Sequence, residues 1–441
     1  MSSANSPSAP IDSARWWRYA LAIVGIGLIL RAGWAIAIPI LPISDAAVYD
    51  RLAQNLASGN GYGHRPGRPI AYWPPGAPLL FAGIYSLVGR NLAVVAAVQV
   101  VISTLIVALG LLAARRWFGD RASLWSGLIL ALWPGQIQYS TVMGTELPFE
   151  AALLGALLLW EQRGWRPALQ GFGSGLLIGI GSLIRPTGVL LPVVLGLSRA
   201  VRERSLRSAT TATLACLMGA ALMIAPWTYR NYRTFGRFIL ISLNSGSNLW
   251  MGNHPDSDGG YEKIPERFRH LNEYERDRAM RAEAMASIRD NPIRFLKLGL
   301  HKIVGFHERE TIGVVWNQRG IERRLGPASL NPLKRISTLY WYTALALGLI
   351  GCLILAARAG PVQTLFHPCI IIWLYFVAIH AVTVSFIDRY HFAVVPLVAA
   401  LAGLTLQTLG DWLARTKRRA PSGGLTTPDS ASLTGNGLGQ A

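Results

Sequence analysis

Residues 92–114, LAVVAAVQVVISTLIVALGLLAA, run for twenty-three positions without a single charge. As a helix that run is about 35 Å long, and a bilayer's hydrocarbon core is about 30 Å thick. In lipid the backbone must satisfy its own hydrogen bonds, so a run of this kind specifies a helix. Similar apolar runs recur along the chain. They predict spans over 16–38, 92–114, 121–139, 146–161, 167–184, 186–199, 208–226, 336–357, 363–386 and 390–413. The expected class is an all-α polytopic membrane protein of about 10–12 transmembrane helices. A hydrophobic content of 51% and a mean hydropathy of +0.34 over 441 residues agree with it.

The formal net charge of +19 does not point to nucleic acid. The basic residues fall between apolar runs rather than along one stripe, which fits positive-inside topology and contact with anionic lipid. Arg115 and Arg116, Arg163 and Arg166, Arg199 to Arg207, Arg358 and Lys417 to Arg419 share one side, predicted to be cytoplasmic. Ten spans return both termini there. The segments 39–91, 140–145, the break near Arg185, 227–335 and the turn at Asp388 then face outward. Trp16 to Ile38 is long for a signal sequence and contains Arg31, so it is expected to be retained as the first span. The short apolar segment 78–88 and the amphipathic segment 292–306, with Lys297, His301 and Lys302 on one face, are expected to lie in the outer interface. The resulting layout is 1–15 as a cytoplasmic N-terminus, 16–226 as a membrane core carrying outer loop 39–91, and 227–335 as a periplasmic or interfacial region. Spans follow over 336–413, then a disordered cytoplasmic tail over 414–441.

Three features carry little chemistry. Gly171, Gly175 and Gly179 recur every fourth residue in an apolar run, which is the spacing of close helix packing and not of a phosphate loop. Cys216, Cys352 and Cys369 lie in apolar runs and suit packing, and no metal-ligand spacing is present. His254, beside Asn253 and Asp256, reads as a loop residue.

The acids are more informative. Twelve of the 23 Asp and Glu lie between Asp256 and Glu322, where a solvated outer region needs no special account of charge. Of the others, Asp45, Asp50, Glu146, Glu150 and Asp388 map to outer ends of spans, and acids near a bilayer usually face a polar cavity. Each has a structural alternative: Asp45 as a helix cap, Asp50 as a surface charge, Glu146 on a helix dipole. Glu150, one turn deeper than Glu146, reads as a supporting residue. Arg65, Arg68, Arg185, Arg230, Arg233 and Arg389 accompany them outside, and a guanidinium fork suits a phosphate. Tyr62, Tyr72 and Trp73 are interface anchors or a sugar platform.

The ordered motifs "SDAAVYDRLAQNLASGNGY…WPPGAPLLFAGIYSLVG", "PGQIQYSTVMGTELPFE", "LIRPTGVLLP", "APWTYRNYRTFGRFILISLNSGSNLWMGNHP" and "DRYHFAVVPLVAALAG" resemble bacterial GT-C glycosyltransferases of the family 39 branch. That branch is related to protein O-mannosyltransferases and the lipid A aminoarabinose transferase. The resemblance covers roughly residues 16–413. It implies the GT-C fold with a catalytic first periplasmic loop and a larger periplasmic insertion. It also implies an inner-membrane enzyme that moves sugar from a polyprenyl-phosphate donor to a cell-envelope lipid, polysaccharide or protein at the outer face. In such enzymes the first outer loop holds a catalytic aspartate, and Asp45 matches it; a second acid follows the third span, and Glu146 matches that. The sequence departs from the pattern at Ala46, where a second acid often stands, and at Trp73, where many relatives place a lysine before the Pro-Pro.

Asp45 and Glu146 are therefore the expected catalytic pair. Asp50, Arg65, Arg68, Tyr62, Tyr72, Trp73, Arg185, Arg230, Asp388 and Arg389 are the expected substrate contacts. No cofactor is expected, the lipid-phosphate sugar being a substrate, and a divalent metal stays open. Asp45 would be the base, or would orient the substrate if the acceptor were itself a phosphate. The rival function is a transporter or flippase of lipid-linked sugar, a class marked by internal repeats and mid-membrane charge.

Overall fold

A computed structural model describes residues 12–383 and 388–419. Of the tail expected to be disordered over 414–441, residues 414–419 instead continue the last helix; the rest of it and most of the N-terminal segment lie outside the described residues. Helix α1 (Ser13–Ala37) is followed by α2 (Ser44–Ala57), a short antiparallel hairpin of β1 (Gly63–Arg65) and β2 (Arg68–Pro69), and α3 (Gly76–Val88). Then come α4 (Leu92–Phe118), α5 (Asp120–Ala131), α6 (Pro134–Gln138), α7 (Glu146–Trp160), α8 (Pro167–Ile184), α9 (Leu191–Glu203) and α10 (Leu206–Phe235). An outer group follows: α11 (Ser245–Asn253), α12 (Glu266–Arg269), α13 (Glu273–Asp290), α14 (Pro292–Phe306), α15 (Ile312–Trp316) and α16 (Gln318–Leu325). The chain closes with α17 (Leu330–Ala359), α18 (Pro361–Leu365), α19 (Pro368–Val382) and α20 (Val395–Arg419).

Among the described residues six helices are long and apolar enough to cross a membrane, or seven if α6 and α7, bent by 120°, count as one. The expected spans 121–139 and 363–386 are shorter than sequence predicts, their helices α5 and α19 having 12 and 15 residues; α7 and α9, of 15 and 13 residues, are close to the lengths expected of 146–161 and 186–199. Pro134 and Pro368 break the two shortened runs, because proline lacks an N–H and pushes its predecessor out of the α region. Pro226 behaves differently: it sits inside α10, which continues to Phe235 instead of stopping at 226.

The arginine-rich helix ends gather on one face. The Trp16 indole donates to Ser123 at 3.0 Å, and the Arg115 guanidinium lies 3.7 Å over the same ring. Arg121 reaches Asp411, Arg202 reaches Glu161, and His367 stacks on Phe118. Helices α8 and α10 meet backbone to backbone: a Cβ on Gly171 or Gly175 would stand 2.0 or 2.1 Å from the carbonyl oxygens of Ala212 and Cys216. The four-residue glycine repeat is a packing device.

At the other end α2 and α3 form a packed pair. Gly76, next to Pro75, is required there, since a Cβ would fall 2.7 Å from the Ile184 nitrogen. Segment 78–88 lies within α3, which is too short to cross. Helix α14 packs on α19 and leaves Ile293, Leu296, Leu300 and Val304 exposed along one edge. Lys302 departs from the expected amphipathic face: it is buried, and its ammonium donates to Asn253 Oδ1 at 3.0 Å.

Candidate functional site

The segments expected outside converge on one cavity of about 2020 Å³. Asp45, Thr145, Arg185, Arg276 and Arg389 each bring a different segment to its wall. Of the residues expected at a site, Asp45, Arg65, Arg68, Tyr72, Trp73, Arg185 and Arg389 line it.

Two ion pairs form the floor. Arg389 Nη1 donates to Asp45 Oδ2 at 2.7 Å, with the two side chains 16% and 19% exposed. Arg185 Nη1 donates to Glu146 Oε1 at 2.9 Å, with side chains 10% and 0% exposed. The ring of Tyr390 ties them together, with the two guanidinium carbons 5.6 and 5.7 Å from its centroid. Asp45 is not the cap of α2: Ile43 holds that position, and the helix opens from Ser44 at φ +51°. A non-glycine residue in the left-handed region is uncommon and costs energy, and it commonly marks a functional bend. Tyr49, one turn after Asp45, lies beside both pairs. Burial first, and the Asp45 carboxylate second, push its hydroxyl far above the usual tyrosine range, so it stays protonated.

Glu146 is a lining residue only through Arg185. It is 1% exposed, and its Oε2 is buried without a partner among the described residues. Its role is to hold Arg185, and the geometry gives it no direct face on the cavity. Glu150, one turn deeper, accepts from Gln136 at 2.5 Å.

Four expected contacts lie elsewhere. Asp50 pairs with Arg90 at 2.8 Å and accepts from the Tyr85 hydroxyl at 2.7 Å, locking α2 to α3. The Tyr62 hydroxyl donates to the Trp73 and Pro74 carbonyls and so fixes the Pro-Pro turn. Arg230 donates to the Ile70 and Tyr62 carbonyls and lies over Trp227. Asp388 accepts from Thr311 N and Oγ1, both at 2.5 Å, and closes a loop. Arg389 ignores its sequence neighbour Asp388 and reaches across the fold to Asp45.

Other groups were hidden from the sequence. Glu310, expected to be solvated, is 1% exposed; Trp133 Nε1 donates to both of its oxygens, and His391 Nε2 stands 3.2 Å away. This cluster, next to Thr311–Asp388, pins the turn that carries Arg389. Gly135 leaves room for this carboxylate: a Cβ there would sit 2.0 Å from Glu310 Oε1. His254 stacks on Trp250 at 4.1 Å and meets Glu262 at 2.8 Å, as a loop residue does. Among the described residues no group of three or more His, Cys, Asp or Glu is placed to hold a metal ion.

Comparison with known proteins supplies the family context. Residues 73–229 match the family described as dolichyl-phosphate-mannose-protein mannosyltransferase. No curated protein matches the sequence. Among solved structures, ArnT from Cupriavidus metallidurans bound to undecaprenyl phosphate superposes with a TM-score of 0.58 at 15% identity, over 96% of this chain and 67% of that one. The Archaeoglobus fulgidus oligosaccharyltransferase in its apo form gives 0.55 at 15% identity, over 93% of this chain and 52% of that one. AglB from the same organism, in complex with an inhibitory peptide and a dolichol-phosphate, gives 0.53 at 15%, over 93% and 53%. The chain thus spans about half the length of the oligosaccharyltransferases whose fold it shares.

Proposed function

We propose that this multi-pass membrane protein, which has the GT-C fold and is family 39-like over residues 73–229, transfers a sugar from a polyprenyl-phosphate donor to a cell-envelope acceptor. The reaction is placed at the outer face of the cytoplasmic membrane. One observation carries the reading: a carboxylate, Asp45, and two arginines, Arg185 and Arg389, meet on the floor of one large cavity. That set supplies a proton acceptor beside two phosphate-binding forks.

The chemistry follows from those groups. The acceptor hydroxyl oxygen attacks the anomeric carbon as the bond from that carbon to the phosphate oxygen breaks. The hydroxyl proton passes to Asp45, within hydrogen-bond reach. Polyprenyl phosphate leaves with the bonding electrons, and Arg185 and Arg389 offset the charge that grows on it. One displacement inverts the anomeric centre. Arg185 is held in place by Glu146 and Arg389 by Asp45, so neither needs to be recruited when the lipid arrives. Tyr72 and Trp73, in edge-to-face contact at 5.2 Å, offer the sugar an aromatic wall.

The test is transfer from a purified polyprenyl-phosphate sugar by the full chain in liposomes. Wild-type protein should move sugar to an acceptor, and Asp45→Asn should not, while still binding polyprenyl phosphate. Sugar carried across the bilayer without a new glycosidic bond would support the flippase instead.

A further inference from the structure

The cavity has a second wall that the mechanism above does not use. Arg65 and Arg68 come from the β1–β2 hairpin, Arg237 follows α10, and Arg276 and Arg278 come from α13. Unlike Arg185 and Arg389, none of these five has a carboxylate partner among the described residues. The acids that line the same wall are Glu273 and Glu275, and Glu273 is engaged, accepting from the Ala71 backbone N–H at 2.7 Å. The floor is therefore neutralised in place, and the wall keeps a net positive charge.

Aromatic rings lie beside three of these guanidinium groups without neutralising them. Arg276 lies 5.7 Å over the ring of Tyr72; Arg237 and Arg278 lie 5.5 and 6.0 Å from the centroid of Tyr274. A ring at that distance attracts a guanidinium without neutralising it, and leaves its N–H edges free for an oxyanion. Sugar rings present an apolar C–H face to an aromatic ring, and their anionic substituents suit the adjoining forks. The volume of about 2020 Å³ exceeds the ~300–1,000 Å³ of an ordinary small-ligand pocket, so one donor sugar does not fill it.

We propose that the wall formed by Arg65, Arg68, Arg237, Arg276 and Arg278 is the acceptor subsite, and that it takes a saccharide bearing repeated negative groups, phosphate or carboxylate. This rests on reading the cavity as a sugar-transfer site. The anionic units lie along the wall, which steers the free hydroxyl of the terminal sugar toward Asp45. A neutral glycan would gain the ring contacts and nothing from the forks.

The experiment measures binding to the full chain in detergent. The probes are a galacturonate oligomer, a phosphorylated mannose oligomer, a neutral glucan of equal length and a polyglutamate peptide, with polyprenyl phosphate bound in parallel. Both anionic saccharides should bind at least tenfold more tightly than glucan or polyglutamate. R237A, R276A and R278A should each weaken them about threefold, the worth of one exposed charge contact, and the triple variant about thirtyfold. The triple Lys variant, which keeps the charge, should retain most of the binding, and R324A on α16 should change nothing. Polyprenyl phosphate should bind all of them normally. A phosphorylated glycolipid in neutral nanodiscs tells whether the saccharide is lipid-borne. Equal binding of glucan or polyglutamate, an unchanged triple alanine variant, or the same arginine dependence on plain phosphatidylglycerol vesicles would each overturn the proposal. Failure of the wild type to bind polyprenyl phosphate would instead remove the transfer reading beneath it.

Discussion

The floor and the wall of the cavity use the same side chain in opposite ways. On the floor each arginine is paired with a carboxylate, Arg185 buried on Glu146 and Arg389 half-buried on Asp45. On the wall Arg237, Arg276 and Arg278 lean on aromatic rings and keep their charge. A paired, desolvated arginine is rigid and oriented, and suits a reaction that tolerates little misplacement. An unpaired arginine on a ring attracts anions from a distance and adapts to their spacing. The difference separates positioning from capture.

The sharpest way to break this comparison is to strand a floor charge. Arg185→Ala leaves Glu146 buried alone, which should cost about 3–5 kcal/mol of stability and show as an early loss of monodisperse protein on heating. Arg185→Ala with Glu146→Gln should recover most of that loss and none of the donor binding. If the single variant is as stable as wild type, the pair is not the fixed support described above. Asp45→Asn comes next: it keeps the side chain's size and removes the basic oxygen, so transfer should fall about a hundredfold or more. A wild-type rate would leave Asp45 as a mere tether for Arg389. Arg389→Ala should lower turnover or raise the donor KM about ten- to a hundredfold, the loss of one charge-assisted contact. Normal donor kinetics would place the phosphate elsewhere. Asp50→Asn should change transfer by less than about threefold, because its partners Arg90 and Tyr85 lie away from the cavity. The smallest effect is that of salt on the floor: raising ionic strength from about 0.01 to 1 M shortens screening from about 30 to 3 Å, and should weaken anionic glycans far more than polyprenyl phosphate.

How much of this was legible depended on whether a residue's partner is near it in sequence. Asp45, Arg185 and Arg389 stood out because charge at the end of an apolar run is costly without a purpose. Asp50 was misplaced for a reason the sequence did contain. Five helical steps turn a side chain about 140° from Asp45, so one α2 face holds the site and the other holds Arg90. Tyr62 and Arg230 carry groups that suit a ligand, and only their backbone carbonyl partners assign them to structure. Glu310 gave no local signal. Its partners, Trp133 and His391, are 177 and 81 residues away, and the outer region's many acids made it look ordinary. Arg276 and Arg278 gave no signal either, since helix α13 alone reads as a solvated surface, whereas Arg65 and Arg68 on the same wall stood among the expected contacts. The four-residue glycine repeat was legible because its period matches one helical face.

The short helices bear on membrane thickness. At 1.5 Å per residue, α7, α9 and α19, of 15, 13 and 15 residues, reach only about 20–23 Å, against a hydrocarbon core of about 30 Å. All three end toward the cavity: α7 begins at Glu146, Arg185 to Thr187 lead into α9, and Ile379 to Thr383 close α19. Where helices this short meet lipid, thinning the leaflet to their length costs a fraction of a kcal/mol per Å. On the proposed reading, a polyprenyl phosphate travelling in such a dimple would meet Arg185 and Arg389 at the level of its own headgroup, without being lifted from the bilayer.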